Sequence, residues 1–235
     1  MFNRLNIKAM AFNVKAVMFD LDGTLVDTAP ELAFAINQML AELSLPTLPQ
    51  QQIAAYIGQG AQTLIKRCVT AGSSAEVDDA LFERAQSLFF AHYANNVTQS
   101  KPYAGVLNVL TELKNLGLRL ACVTNKPEKF TLPLLQASGL MDFFEIVVSG
   151  DTLAKKKPDP IQLQHICAKF NVMETEAMLV GDSVIDVMAA HAAGCYIVTV
   201  PYGYNQGRPI DDSQVDAAIE DLTELPGLLT ESRSA

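Results

Sequence analysis

Two carboxylates, Asp20 and Asp22, follow the apolar run Val17-Met18-Phe19 and precede Gly23-Thr24. Side chains two apart in a strand share a face, so the pair starts with a chance of meeting one ligand. The chain turns at Gly23, so only one carboxylate need touch that ligand directly. Neighbouring carboxylates repel, and ionising both is costly unless a cation lies between them. A hard divalent cation such as magnesium, which prefers oxygen donors, removes that cost. The plainer use of the same residues is an exposed acidic turn, since Asp-Gly is common in turns. Three later segments add groups suited to an anionic phosphate. They are Thr124-Asn125, then Lys157 in Lys155-Lys156-Lys157-Pro158, then Asp182 and Asp186 in Gly181-Asp182-Ser183-Val184-Ile185-Asp186. Each also has an ordinary use. Thr124-Asn125 can cap a following helix, a lysine run can be a solvated face, and Asp182 can be an N-cap.

The elements that must position these residues alternate from residue 103 onward. Helical spacing at 106–116, 128–137, 160–170 and 184–193 is interleaved with strand-like runs at 118–123, 144–148, 177–180 and 196–200. That alternation predicts an α/β fold, a doubly wound parallel sheet with helices on both faces. Ligands bind such sheets outside the carboxyl ends of the strands, which is where the polar segments fall. Residues 28–100 break the rhythm, with helical patterns at 31–43, 61–69 and 77–93 and no convincing strand. The expectation is a helical cap domain at 28–100, inserted after the first strand of a core made of 1–27 and 101–235. Within it, Gly58-Gln59-Gly60 is too short for a dinucleotide loop and lacks the lysine of a P-loop. Arg67, beside that turn, is the candidate for a cap contact with a substrate carboxylate, which a guanidinium can pair bidentately. An ordinary surface arginine on an amphipathic helix is the other possibility. His92, His165 and His191 show no ligand spacing and are read as structural.

Of 235 residues, 49% are hydrophobic and 18% charged, ample material for a core. A net charge of −9 disfavours non-specific binding to nucleic acid or to anionic membranes. A small anionic substrate stays open, because a local cation and a few lysines override the global field. Cys68, Cys122, Cys167 and Cys195 lack metal-type spacing and lie in apolar stretches, so reduced thiols in a cytoplasmic protein are expected. Residues 1–12, with Arg4 and Lys8, read as a leader of little consequence, with Met10 a possible alternative start. Residues 230–235 read as a frayed end. No apolar run reaches the ~18 residues of a membrane span.

In this order, the four segments resemble the motifs of the haloacid dehalogenase superfamily of phosphohydrolases, over about residues 15 to 200. The resemblance implies a Rossmann-like core with a helical cap, and a role for each motif residue. Asp20 attacks phosphorus and forms an aspartyl-phosphate. Asp22 protonates the leaving oxygen and later activates water. Asp20, Asp182 and the backbone carbonyl of Asp22 hold magnesium, while Asp186 orients a water or a neighbouring group. Thr124 and the Asn125 backbone hold phosphate oxygens, and Lys157 neutralises the nucleophile and the transferring group.

Within the superfamily, four segments are similar to the phosphoglycolate phosphatase family. They are Asp27-Thr28-Ala29-Pro30-Glu31-Leu32, Ile57-Gly58-Gln59-Gly60-Ala61, Thr124-Asn125-Lys126-Pro127 and Tyr202-Gly203-Tyr204-Asn205. One departure is Val184-Ile185, where that family often has Arg-Asn. The implied function is magnesium-dependent hydrolysis of a small phosphorylated metabolite, 2-phosphoglycolate first. A sugar-phosphate phosphatase or phosphomutase is the alternative enzyme. Dehalogenases lack the second aspartate, present here as Asp22, and Lys66, the lone cap lysine, shows no sign of a phosphonatase Schiff base. A receiver-like phospho-aspartate module is the non-enzyme alternative, although it has no use for an inserted helical segment. Oligomeric state stays open.

Overall fold

The computed structural model describes residues 12–72 and 77–229. The expectations of a leader and of a frayed end at 230–235 fall outside these residues, except at Phe12. That ring is buried, and its amide donates to Leu228 O at 2.7 Å. Strand β1 (Ala16–Phe19) is followed by β2 (Val26–Asp27), then helices α1 (Ala29–Glu42), α2 (Gln50–Ala54), α3 (Ala61–Gly72) and α4 (Asp79–Ala94), then β3 (Lys101–Pro102). Alternation follows with α5 (Val106–Asn115), β4 (Arg119–Val123), α6 (Glu128–Ala137), β5 (Ile146–Val148), α7 (Ile161–Phe170), β6 (Ala177–Gly181), α8 (Val184–Ala193) and β7 (Tyr196–Thr199). Strand β8 (Ala217–Ala218) comes last.

Six strands form one parallel sheet in the order β5-β4-β1-β6-β7-β8. Alternate strand residues enter two separate cores. Val17 and Phe19 join Leu120, Cys122 and Val180 with Leu110 of α5 and Leu134 of α6. Ala16 and Met18 join Ala121, Val123 and Leu179 with Ile166 of α7 and Ala190 of α8. A strand covered on both faces needs apolar side chains at every position, which is why β1 reads as an unbroken run. The sheet is therefore doubly wound. The chain passes from β1 outward through β4 and β5, then returns to the other side of β1 with β6. The carboxyl end of β1 thus lies at a topological switch point, where a crevice opens between diverging connections.

Helices α1–α4 lie between β2 and β3, which pair antiparallel as Val26↔Pro102 and Asp27↔Lys101. Helix α1 begins after Thr28 with Pro30 in its first turn, where the missing N–H costs nothing. Helix α4 is N-capped by Asp78, whose side chain accepts from the Leu81 amide at 2.8 Å. Leu32, Ile36 and Met39 of α1 share a core with Phe89 and Tyr93 of α4. Helix α2 and the two-residue strands β2, β3 and β8 are additions to the sequence expectation. Each is too short to show a period.

Candidate active site

Strand β1 delivers Asp20 to the switch point, where its amide donates to Val180 O of β6 at 2.9 Å. Asp20 Oδ1 accepts from the Leu21 amide at 2.8 Å and from Lys157 Nζ at 2.9 Å. Beyond it the chain folds tightly, with the amides of Leu25 and Val26 both donating to Leu21 O and Gly23 at φ +90°. That turn sends the Asp22 side chain away from Asp20. Thr24 is carried the other way, so that its hydroxyl donates to Asp182 Oδ1 at 2.8 Å.

Asp182 follows β6, and Ser183, not Asp182, is the N-cap of α8. The capping box joins Ser183 to Asp186, whose Oδ2 accepts from the Ser183 amide at 3.1 Å and hydroxyl at 2.6 Å. Asp186 Oδ1 accepts from Lys157 Nζ at 2.7 Å, and the lysine also donates to Val123 O at 2.8 Å. All three ammonium protons of Lys157 are therefore engaged, by Asp20, Asp186 and β4. Carboxylate oxygens of Asp20, Asp182 and Asp186 lie within 4.8 Å of one another.

Burial pushes Asp20 up to about 8, Lys157 opposes that rise, and the Asp186 and Asp182 charges add to it. Asp182 rises to about 7 through burial and the Asp186 charge, against the Tyr204 amide and the Thr24 hydroxyl. Burial alone would lower Lys157, yet Asp186 and Asp20 hold it above the ordinary lysine value. Buried acids that resist ionisation, clustered on oxygen donors alone, suit a hard divalent cation. Asp186 accepts three hydrogen bonds, two on Oδ2 from Ser183 and one on Oδ1 from the Lys157 ammonium. Among the described residues each Asp182 oxygen accepts one and Asp20 Oδ2 has no hydrogen bond, so Asp20 and Asp182 keep more lone pairs for a cation.

Gly203 packs directly against Asp182, where a Cβ would come within 2.2 Å of the Asp182 Cβ. The following amide, from Tyr204, donates to Asp182 Oδ2 at 2.7 Å. The Tyr204 hydroxyl accepts from the Thr28 and Ala29 amides at 2.8 and 2.9 Å and donates to Asp27 at 2.7 Å. One residue thus touches both the acidic cluster and the start of α1.

Asp22 Oδ1 accepts from Lys126 Nζ at 2.9 Å, with both side chains largely buried. Lys126 also lies 4.8 Å from the ring centre of Tyr93. The Thr124 hydroxyl accepts from the Lys126 amide at 3.2 Å. Asn125 Nδ2 donates to Gly58 O and to Lys157 O, both at 2.9 Å, so it ties the helical insertion to the core. Its Oδ1 is buried without a partner. A cavity of about 40 Å³ opens over Asp20 and Asp22, with Thr124, Asn125 and Lys126 on the sheet side and Gly58, Leu64 and Tyr93 on the other.

Arg67 does not reach this cavity. It donates to Gln59 at 3.1 Å, lies 5.9 Å from the Tyr56 ring and lines a separate outer groove with Lys66 and Thr70. Leu64, Ile65, Cys68 and Val69 form the buried face of α3, which leaves Arg67 on the opposite side. No histidine lines the cavity, and His92 pairs with Glu42 at 2.6 Å. Lys126, Gly203 and Tyr204 have contacts at the site that sequence reasoning did not assign. The nearest signal was the position of Lys126, directly after Thr124-Asn125.

The fold and site thus define an α/β protein with helices inserted after its first strand and a cluster of buried acids at its switch point. Residues 17–200 match the family model described as haloacid dehalogenase-like hydrolase, and the chain belongs to that family. A phosphoglycolate phosphatase of Thiobacillus denitrificans is 46% identical over 227 residues, 96% of this chain and 100% of that one. Another, from Nitrosospira multiformis, is 49% identical over 220 residues, 93% of this chain and 97% of its own. A solved structure of a predicted phosphoglycolate phosphatase from Haemophilus somnus superposes with a TM-score of 0.88 at 35% identity. It covers 92% of this chain and 98% of that one.

Proposed function

We propose that the protein is a magnesium-dependent phosphatase that hydrolyses 2-phosphoglycolate to glycolate and orthophosphate through an aspartyl-phosphate on Asp20. The observation that carries this reading is the asymmetry of the Asp20 carboxylate. Oδ1 is pinned by the Leu21 amide and Lys157, while the residue lines the cavity with Oδ2 unengaged. A carboxylate held this way presents one oxygen at a fixed angle for in-line attack.

In the first step Asp20 Oδ2 bonds to phosphorus, and the ester P–O bond breaks. The Asp22 carboxyl gives its proton to the departing glycolate oxygen. In the second step Asp22 takes a proton from water, whose oxygen attacks phosphorus and frees Asp20 and orthophosphate. Lys157 offsets charge at the nucleophile and the transferring group, and Asp186 positions that lysine from behind. Thr124 and the Asn125 backbone receive phosphate oxygens. Asp20, Asp182 and the Asp22 carbonyl would hold magnesium, which would supply the positive charge that lets these acids ionise beside a phosphate. Helices α1–α4 act as the cap, in a domain spanning 28–100 on a core of 1–27 and 101–235, and its closure limits bulk water during the first step.

The partner is a small phosphorylated metabolite, and a sugar phosphate is the runner-up. Among the described residues no helix is long and apolar enough to cross a membrane. Four free, buried cysteines suit a reducing, cytoplasmic setting. The test is hydrolysis of a panel of phosphate monoesters by the purified protein, with magnesium or with a chelator. Magnesium-dependent phosphate release, fastest from 2-phosphoglycolate, is expected. Full activity in chelator, or none on any ester, contradicts the reading.

A further inference from the structure

The two buried lysines at the site use their protons differently. Lys157 has all three engaged and does not line the cavity. Lys126 is the one cationic side chain in the cavity wall among the described residues, and its ammonium donates to Asp22 and faces the Tyr93 side chain. An ammonium donor therefore remains for an anion. Beside it, the Tyr93 hydroxyl of α4 is buried at the same wall without a hydrogen-bond partner. A buried hydroxyl left unpaired is costly, and an anionic oxygen would satisfy it. The remaining walls are largely apolar, from Leu64, Phe89 and Phe130, and offer little to the hydroxyls of a sugar chain.

We infer that Lys126 and Tyr93 form the receptor for a carboxylate on the alcohol part of the substrate. This deepens, and rests on, the phosphatase reading above. The placement matches the chemistry of a short acid. In 2-phosphoglycolate a single methylene separates the ester oxygen from the carboxylate. The group that protonates that oxygen and the group that receives the carboxylate must then be neighbours, as Asp22 and Lys126 are at 2.9 Å. The role assigned to Arg67 by sequence alone passes to a core lysine and a cap tyrosine.

The experiment compares kcat/KM for 2-phosphoglycolate with that for 2-hydroxyethyl phosphate, in which a hydroxymethyl group replaces the carboxylate. A site that pairs a substrate polar group discriminates strongly against an analogue lacking it, so roughly 100-fold preference is expected of the unaltered protein. Lys126→Met should bring that preference to within about fivefold, and Tyr93→Phe should cut it by about tenfold, through KM. The ratio of the two substrates cancels any effect that Lys126 exerts through Asp22, which both share. Tyr93→Phe keeps the buried ring and removes only the hydroxyl, so it carries the test if Lys126→Met fails to fold. Preference retained in Tyr93→Phe and in any folded Lys126→Met, or absent from the unaltered protein while both esters are hydrolysed, overturns the receptor and leaves the phosphatase reading standing. Failure to hydrolyse either ester overturns both.

Discussion

Lys157 shows how one side chain can set the character of a site. Its ammonium bridges Asp20 and Asp186, 166 positions apart in the chain (20 to 186), and borrows a carbonyl from β4. Removing it leaves two buried carboxylates without their cation, which costs far more than the pair contributes when intact. Lys157→Met should lower metal-free stability by about 3–5 kcal/mol in denaturant unfolding. It should also cut kcat roughly 100- to 1000-fold. A variant with unchanged unfolding midpoint would contradict the buried network. At this scale the sequence was informative where a residue ends a strand. Asp20, Asp182 and Lys157 were readable because each follows or precedes a regular element at the same edge of the sheet. Lys126 was not, since its partner Asp22 lies 104 residues away and nothing local marks the pair. For Arg67 the sequence left a cap contact and an ordinary surface arginine both open, and its place on the outer groove, opposite the apolar face of α3, favours the second.

Element boundaries matter most at Asp182, where β6, α8 and the segment after β7 meet. The capping box takes Ser183 and Asp186 and so frees Asp182 to point at the cluster. Gly203 then approaches so closely that only hydrogen fits between the chains. Gly203→Ala should push Asp182 from its place and weaken magnesium affinity roughly 10-fold or more, as losses of supporting contacts do at metal sites. Magnesium dependence of the rate at saturating substrate measures it, and an unshifted dependence would count against Asp182 as a ligand. The regular α/β half was legible because its helices and strands are long enough to show periods of 3.6 and 2. The small ribbon β2–β3, the short α2 and the edge strand β8 were not, because two to five residues carry no period. Their positions are set by tertiary contacts, such as the Tyr204 hydroxyl on the Thr28 and Ala29 amides.

The whole molecule carries −9 formal charge, yet the site concentrates three buried acids around one lysine. Proton linkage follows from that. Asp20 and Asp182 bind protons more tightly when folded, near 8 and 7, than an unfolded chain does near the ordinary carboxylate value. The native state therefore holds more protons across that window, and the metal-free protein loses stability as pH rises from about 4 to about 8. A divalent cation removes the penalty, so magnesium should raise the melting temperature more at about pH 8 than at about pH 5. Thermal melts in chelator and in magnesium at both values check this, and an equal gain at both would speak against a cation among these acids.

Trapping the phosphorylated protein bears most immediately on Asp20 as the nucleophile. Acid quenching during turnover of 2-phosphoglycolate, followed by peptide mass spectrometry, should find one phosphoryl group on Asp20, labile to hydroxylamine. Asp20→Asn should remain folded, show no such adduct and lose turnover by at least about 10⁴-fold. A phosphoryl group on another residue, or an Asp20→Asn variant that turns over normally, would contradict it.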